Sequence, residues 1–294
     1  MGTKESTSTG ARIELPDVVN RMLASRKIVV SLVILLPILT VVTLGDIIAP
    51  FDPTQTHVVD RFAEPNSKYL LGTDHLGRDL LSRVIVGGQS SLILGFGAAG
   101  LALLVGVPIG LTAGYVKGRI DEVLMRLMDV MISIPSLILG ILILVTLSSS
   151  LTNVIIAVGF VYIPRVARVT RSATLSVSEE SFVLAAKARG DSTPRILFRE
   201  ILPNVSAPII VEGSIRVGYG ILTGTGLSFL GLGTGPPTPD WGFMIAQARV
   251  HMYQSPWMLL WPGLMLVATI VAMNMLGDGL RDVLDPRTFE EGES

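Results

Sequence analysis

The side chains best suited to catalysis or metal binding are few and widely spaced in this 294-residue sequence. The three histidines are His57, His75 and His251, and cysteine is absent, which excludes disulfides and thiolate ligands. The sequence contains no His-Glu-x-x-His metal motif and no glycine-rich phosphate loop ending in Gly-Lys-Ser or Gly-Lys-Thr. We therefore predict no catalytic residue, no metal site and no cofactor bound by this chain itself.

One cluster of possible metal ligands, Asp74, His75 and Asp79, falls in the string LGTDHLGRD at residues 71–79. A protein metal site needs several ligands held in a fixed geometry around the ion. A single histidine with loosely placed carboxylates is more typical of a capped, hydrogen-bonded turn. That turn is the preferred interpretation, and a metal site is the alternative.

A second polar feature is the charged string LAAKARGDSTPRILFREILPN at residues 184–204, which lies between long apolar runs. A Ser-x-x-Glu capping box that starts at Ser176 predicts a helix from there to about residue 189. Gly190 suits the left-handed conformation that ends a helix, and Pro194 suits the start of a second short helix reaching Leu202. A short helix with small side chains and a cationic rim can lie in a groove on a partner, and a solvated loop is the alternative.

The composition indicates a membrane protein. Hydrophobic residues make up 49% of the chain and charged residues 16%, with a mean hydropathy of +0.60, whereas soluble domains carry about 25% charged residues. A net charge of −1 argues against a nucleic-acid partner. Apolar runs of about 20 residues are long enough to cross a bilayer. We predict an all-α, polytopic membrane protein with six transmembrane helices, at residues 28–48, 89–113, 122–147, 152–170, 207–231 and 257–279.

The distribution of lysine and arginine orients these spans, because positive charge is retained on the cytoplasmic side. The bias places both termini in the cytoplasm, and the polar first 25 residues give no sign of a removable signal peptide. The predicted parts are a cytoplasmic tail (1–27), the first transmembrane helix (28–48), an extracytoplasmic segment (49–88), a core of five transmembrane helices with a cytoplasmic loop at 171–205 (89–280), and a second cytoplasmic tail (281–294).

Polar side chains inside predicted spans are costly in lipid and usually face a cavity or another helix. Glu212 and Arg216 are four residues apart on one helix face, and a structural ion pair is preferred over contact with a solute. Asn274 and Asp278 are candidates for pore or helix–helix contacts. Three tryptophans are assigned to the outer membrane interface, namely Trp241, Trp257 and Trp261.

The charged stretch resembles the cytoplasmic signature loop of ATP-binding-cassette importer permeases. That pattern reads Glu-Ala-Ala, three residues, Gly, nine residues, then Ile-x-Leu-Pro. Five residues occupy matching positions, namely Ala185, Ala186, Gly190, Leu202 and Pro203. Two positions differ, since Leu184 stands in place of the glutamate and Glu200 in place of the isoleucine.

Further strings resemble the dipeptide/oligopeptide branch of this family, in the same order along the chain. They are LGTDHLGRD (71–79), DEVLMRLMD (121–129), LSFLGLG (227–233) with PPTPDWG (236–242), and LGDGLRD (276–282) with LDP (284–286). Together they extend the resemblance from about residue 28 to residue 287. The chain is similar to the second of the two permease subunits of such transporters.

The resemblance implies that a coupling helix docks on a cytoplasmic ATPase. The implied docking residues are Ala185, Ala186, Lys187, Arg189, Gly190, Asp191, Leu202 and Pro203. The implied partners are a second homologous permease in a heterodimer, two ATP-binding-cassette ATPase subunits that use ATP and Mg²⁺, an extracytoplasmic solute-binding protein, and the lipid of a bacterial inner membrane.

The resemblance also implies a substrate class, namely di- and oligopeptides, with nickel, glutathione and opines as alternatives within the family. Two rival functions stay open at this stage. An intramembrane protease is disfavoured because the histidines are far apart and no aspartate pair lies at mid-membrane depth. A channel or ion-driven carrier acting alone would have no use for the charged cytoplasmic insert.

Overall fold

The computed structural model describes residues 15–284, and the ends of both predicted cytoplasmic tails lie outside this range. The described chain is helical, with no strand beyond an isolated bridge between Thr73 and Asp79. The helices are α1 (Leu15–Ala24), α2 (Arg26–Thr43), α3 (Gly45–Ile48), α4 (Leu80–Val116), α5 (Gly118–Ser133), α6 (Ser136–Leu147), α7 (Leu151–Val177), α8 (Ser181–Ala188), α9 (Thr193–Arg195), α10 (Leu202–Asn204), α11 (Ser206–Phe229), α12 (Trp241–His251) and α13 (Trp257–Leu284). A 3₁₀ turn at Val58–Asp60 and a π-helical stretch at Ile196–Ile201 complete the set.

Four helices, α2, α4, α7 and α13, are individually long and apolar enough to cross a membrane. Two bent pairs meet the same test, with α5 and α6 meeting at 92° and the segment Thr193–Asn204 meeting α11 at 73°. The all-helical, polytopic architecture is confirmed. The predicted count of six spans holds when each bent pair is taken as one span.

The third predicted span is a broken helix and not a continuous one. Ile134 has an extended backbone between α5 and α6, and Pro135 follows it. Proline disfavours helical geometry in the residue before it and lacks the N–H that would continue the helix. Irregular backbone inside a membrane is tolerated only where protein or a water-filled cavity surrounds it. The break therefore marks a place where this span faces protein or water.

The centre of the fold is the contact between α4 and α7, which depends on small residues. Glycines of α4 at four-residue spacing, Gly106, Gly110 and Gly114, lie against the backbone and side chains of α7. At Gly110 an added Cβ would come within 2.5 Å of the Ala167 carbonyl oxygen. Small residues let membrane helices approach closely, so this stripe fixes the separation of α4 and α7.

The string at residues 71–79, predicted to be extracytoplasmic, forms a hydrogen-bonded turn ahead of α4. The Asp74 carboxylate accepts hydrogen bonds from the Arg78 backbone N–H (3.0 Å) and from Arg78 Nε (2.7 Å). Asp79 caps α4 by accepting from the Ser82 N–H at 2.8 Å. Gly77 has φ +75°, and a Cβ there would overlap the His57 carbonyl. Asp74 is thus bound within the turn itself, and Asp79 is bound through Oδ2 at the start of α4.

Trp241 is fully buried among the helices of the protein, so its ring is held by protein contacts. Its indole Nε1 donates to the Val84 carbonyl oxygen at 2.9 Å, and its ring packs in the core that α2, α4, α12 and α13 share. A buried indole needs a hydrogen-bond acceptor, and the first turns of α4 provide one. Trp241 therefore joins α12 to α4.

Candidate functional site

The predicted cytoplasmic segment begins where α7 ends, and here the predicted helix start at residue 176 is wrong. The α7 helix continues through Ser176 to Val177, and α8 begins only at Ser181. Thr174 is buried on α7, and Val177 packs on the cluster under α8. A capping box contributes about 1 kcal/mol, and burial of an apolar helix face outweighs it.

The predicted end of α8 at Gly190 is confirmed. Gly190 has φ +78°, its N–H donates to the Lys187 carbonyl at 3.0 Å, and the Asp191 N–H donates to the Ala186 carbonyl at 3.2 Å. This pair of bonds is the Schellman arrangement, in which a left-handed residue satisfies the last carbonyls of a helix. The predicted second short helix is also present, as Thr193–Asn204 with its π-helical centre.

An ion-pair network closes the break between the two short helices. Arg189 lies 2.9 Å from Asp191 and 3.5 Å from Glu200, and Arg195 lies 3.6 Å from Asp191. Glu200 is one of the two positions that depart from the family pattern. Its carboxylate therefore has a local role, since it helps hold the second helix against the end of the first.

One side of this segment is packed and the other is exposed. Val183, Ala186 and Ile201 are fully buried in a cluster with Leu111 of α4. Leu184 is exposed on the opposite side of α8. Of the predicted docking residues, Ala185, Lys187, Arg189, Gly190 and Pro203 are exposed, Asp191 and Leu202 are partly buried, and Ala186 is buried. Ala186 is thus a packing residue, because its three-residue separation from Val183 places both on the side of α8 that faces α4.

Two cationic contacts tie the segment to the cytoplasmic end of α4. Lys117, which follows α4, forms an ion pair with Glu179 at 2.9 Å, and this hydrogen bond lowers the pKa of the Glu179 carboxyl. Lys187 lies over the ring of Tyr115, with Nζ 4.6 Å from its centroid. Movement of α8 is therefore linked to α4 as well as to α7 and α11.

The helix of the predicted fourth span extends beyond residue 170 and carries three arginines. Arg165, Arg168 and Arg171 lie inside α7, because the helix continues to Val177. Arg171 pairs with Asp121 at 2.5 Å and Arg168 pairs with Asp129, both on α5. The three-residue spacing of Arg165, Arg168 and Arg171 in the sequence predicts that they lie on one side of the helix.

Glu212 and Arg216 pair as their spacing predicts, within α11. The distance from Nε to Oε1 is 2.8 Å and both side chains are buried, but the N–H does not point at the oxygen, so the contact is ionic. The Arg216 guanidinium lies 5.4 Å from the ring centroid of Tyr162 and 4.9 Å from that of Tyr219. Two aromatic rings thus hold a buried cation.

The two polar residues of α13 have different surroundings. Asn274 is partly buried and faces Gly218 of α11, where an added Cβ would lie 3.3 Å from the Asn274 Oδ1. Asp278 is exposed, one turn further along α13. Asn274 is therefore placed at a helix–helix contact, whereas Asp278 has an open side.

The family described as "Binding-protein-dependent transport system inner membrane component" matches residues 106–290, which include the whole cytoplasmic segment and α11 to α13. The chain belongs to this family. Its cytoplasmic segment and its broken spans are therefore features of a transporter's inner-membrane component. The earlier expectation of a permease of this class is confirmed.

Relatives of this permease are similar over most of their length. The dipeptide transport system permease protein DppC of Alkalihalophilus pseudofirmus is 39% identical over 88% of this chain and 85% of its own. The di/tripeptide transport system permease protein DppC of Pseudomonas aeruginosa is 40% identical over 82% and 81%. The glutathione transport system permease protein GsiD of Pectobacterium atrosepticum is 40% identical over 81% and 79%.

A solved structure shares the fold of this permease. A chain of the MetNI methionine ABC transporter, in inward-facing conformations, superposes with a TM-score of 0.58 and 16% identity. The match covers 69% of this permease and 96% of that chain. The helical arrangement of the permease core is thus one already seen in an ATP-driven transporter.

Proposed function

We propose that this permease forms half of the translocation path of an ATP-driven importer for di- and oligopeptides. The observation that carries the proposal is the cytoplasmic segment, an exposed helix surface with a fixed turn joined through packed helices to the membrane core. The peptide class is supported by the two relatives whose names specify dipeptide or di/tripeptide transport.

Energy for transport enters through the exposed side of residues 181–203. Ala185 offers a small side chain at which a partner approaches closely, and Lys187 and Arg189 supply a cationic rim. The partners are two cytoplasmic ATPase subunits, which bind ATP and Mg²⁺, because this sequence has no phosphate loop of its own. Closure of the ATPase would push α8, and the packing on α4, α7 and α11 would carry that displacement into the membrane.

The remaining partners follow from the family. A second, homologous permease completes the path as a heterodimer, and an extracytoplasmic binding protein delivers the solute. The chain lies in a bacterial inner membrane with both termini in the cytoplasm, as the distribution of lysine and arginine indicates. ATP hydrolysis takes place on the ATPase subunits and not on this chain.

A second candidate substrate is glutathione. It is favoured by a relative of 40% identity that is named as a glutathione transport permease. Glutathione is itself a tripeptide with free carboxylates, so one path can suit both classes. Binding assays on the partner binding protein, with dipeptides against glutathione, separate the two.

The docking proposal is tested by placing a bulky side chain on α8. Ala185→Trp alters an exposed position, and we expect the chain to insert while peptide-stimulated ATP hydrolysis falls at least about tenfold, a loss of about 1.4 kcal/mol in docking. The matched control is Val59→Trp at a fully exposed extracytoplasmic position, 99% accessible. Normal recovery of the ATPase and normal coupling in Ala185→Trp would rule out docking at this surface.

A further inference from the structure

An open cavity of about 490 Å³ lies between α7, α11 and the start of α6. This size falls in the range of small-molecule sites, about 300–1,000 Å³. Its lining combines arginine, tyrosine and hydroxyl groups with a few apolar side chains. The lining residues that matter are Ser136, Tyr162, Arg165, Arg216, Tyr219 and Leu222.

The two arginines of this cavity lie at similar distances along their helices from the segment that joins α7 to α11. Arg165 is 12 residues from the cytoplasmic end of α7 at Val177, and Arg216 is 10 residues from the start of α11 at Ser206. At 1.5 Å per residue these separations are about 18 Å and about 15 Å. Charged side chains within a membrane-spanning helix are costly in lipid and face protein or a water-filled cavity. We therefore place the cavity in the interior of the transporter.

The cavity carries an uncompensated positive charge. Glu212 neutralises Arg216 through the ion pair, although Arg216 donates no hydrogen bond to any residue that the structure describes. Arg165 is exposed and forms no ion pair within residues 15–284. This contrasts with Arg168 and Arg171 of the same helix, which both pair with aspartates of α5.

The broken third span adds to this positive potential. The α6 helix, 12 residues long, begins at Ser136 on the cavity wall with no side-chain cap. The first backbone N–H groups of a helix lack partners within it and attract anions. The free end of α6 and Arg165 therefore favour the same kind of group.

We propose that this cavity binds the carboxylate of the transported solute as it passes through the membrane. Arg165 would hold the carboxylate, with the free end of α6 strengthening the field, while Tyr219 and Leu222 contact the rest of the solute. Arginine and carboxylate match in charge and hydrogen-bonding geometry. The proposal rests on the proposed function, and for a peptide the ligand group is the free C-terminal carboxylate.

A labelling experiment tests the site directly, since the chain contains no cysteine. Leu222→Cys, at a half-exposed position of the cavity wall, is labelled with a maleimide in the assembled transporter without its binding protein. We expect a millimolar dipeptide to slow labelling at least about threefold and the same dipeptide as its C-terminal amide to have no effect. Val59→Cys is the control, because it is exposed outside the cavity.

The arginine is tested in the same background. Arg165→Gln should abolish protection by the dipeptide, and Arg165→Lys should keep part of it. Equal protection by the dipeptide acid and its amide, or protection by neither, overturns the inference. A cavity filled by a lipid headgroup would give one of these two results. If the Arg165→Gln variant fails to assemble, the inference is still tested by comparing how the dipeptide acid and its amide protect Leu222→Cys from labelling.

The failure of this inference and the failure of the proposed function are distinguishable. Dipeptide-stimulated ATP hydrolysis is measured in the same preparation after the binding protein is added. If the dipeptide stimulates ATP hydrolysis but gives no acid-selective protection from labelling, the anion-site proposal is wrong and the importer proposal stands. If it gives acid-selective protection but does not stimulate ATP hydrolysis, the anion-site proposal stands and the proposal of a coupled peptide importer is wrong.

Discussion

Arg189 and Glu200 form an ion pair, 3.5 Å apart, across the break between the two short helices of the predicted cytoplasmic segment. The relationship gives a structural reason for a glutamate where the family pattern has isoleucine. Arg189 also binds Asp191, so a single guanidinium connects the end of α8 to the next helix. The contact is partly exposed, and its main effect is on geometry.

Glu200→Ile restores the residue of the family pattern and removes this ion pair. Exposed pairs contribute about 0–1 kcal/mol, so we expect little change in the melting temperature of the purified permease. Arg189 still pairs with Asp191 in this variant, so coupled ATP hydrolysis should stay within about twofold of wild type. A twofold change corresponds to RT ln 2, or ~0.4 kcal/mol, in the free energy of docking. A loss of coupling as large as that expected for Ala185→Trp would show that the ion pair is needed for docking.

Gly190→Ala tests the left-handed turn at the end of α8. Its φ of +78° disfavours a side chain, although an added Cβ meets nothing within 4 Å. We expect a destabilisation of about 1–2 kcal/mol from backbone strain alone. The measurement is thermal unfolding of the purified permease.

The matched control is Gly100→Ala, a helical glycine of α4 with no neighbour within 4 Å and no left-handed φ. It should be neutral or slightly stabilising, because alanine is the better helix former. Equal effects of the two substitutions would contradict a specific role for the turn.

Gly110→Ala tests the close contact of α4 and α7. The new methyl would lie 2.5 Å from the Ala167 carbonyl oxygen and 2.6 Å from the Thr170 Cβ, and neither helix can move freely. We expect a loss of about 1–3 kcal/mol, as in other overpacked cores. Chemical denaturation in detergent measures it, with Gly100→Ala again as the control, and an unchanged midpoint would show that the helices separate without cost.

Acidification should weaken the turn at residues 71–79 through His75. Burial lowers the pKa of the His75 imidazole, Asp74 opposes this shift, and Arg78, His251 and Arg83 reinforce it. The folded chain then binds fewer protons than the unfolded chain, so stability is fully present above about pH 6.5 and is lost as pH falls through the lowered pKa.

The measurement is the melting temperature as a function of pH. In the wild type it should fall on acidification, and His75→Gln should remove part of that fall, since glutamine does not titrate. His57→Gln is the control, because its ring is not part of the stack that His75 forms with His251 at 5.1 Å. If the melting temperatures of His75→Gln and wild type fall equally on acidification, His75 is not a source of the acid sensitivity.

Contacts within one helical turn could be predicted from the sequence. The pairing of Glu212 with Arg216 and the helix end at Gly190 depend on residues at most a few positions apart. The apolar runs fixed the class of fold because their length matches a bilayer. The ordered strings between residues 71 and 286 indicated the family, which residues 106–290 then confirmed.

Contacts between distant helices were decided only by the tertiary structure. Asp129 pairs with Arg168, Trp241 is buried against α4, and Arg165 has no ion-pair partner among residues 15–284 although it shares a cavity with Arg216. Each depends on which helix lies next to which, and on the break at Pro135 that turns α6 towards α11. Helical periodicity specifies the side of a helix on which a residue lies, and packing alone specifies what that side meets.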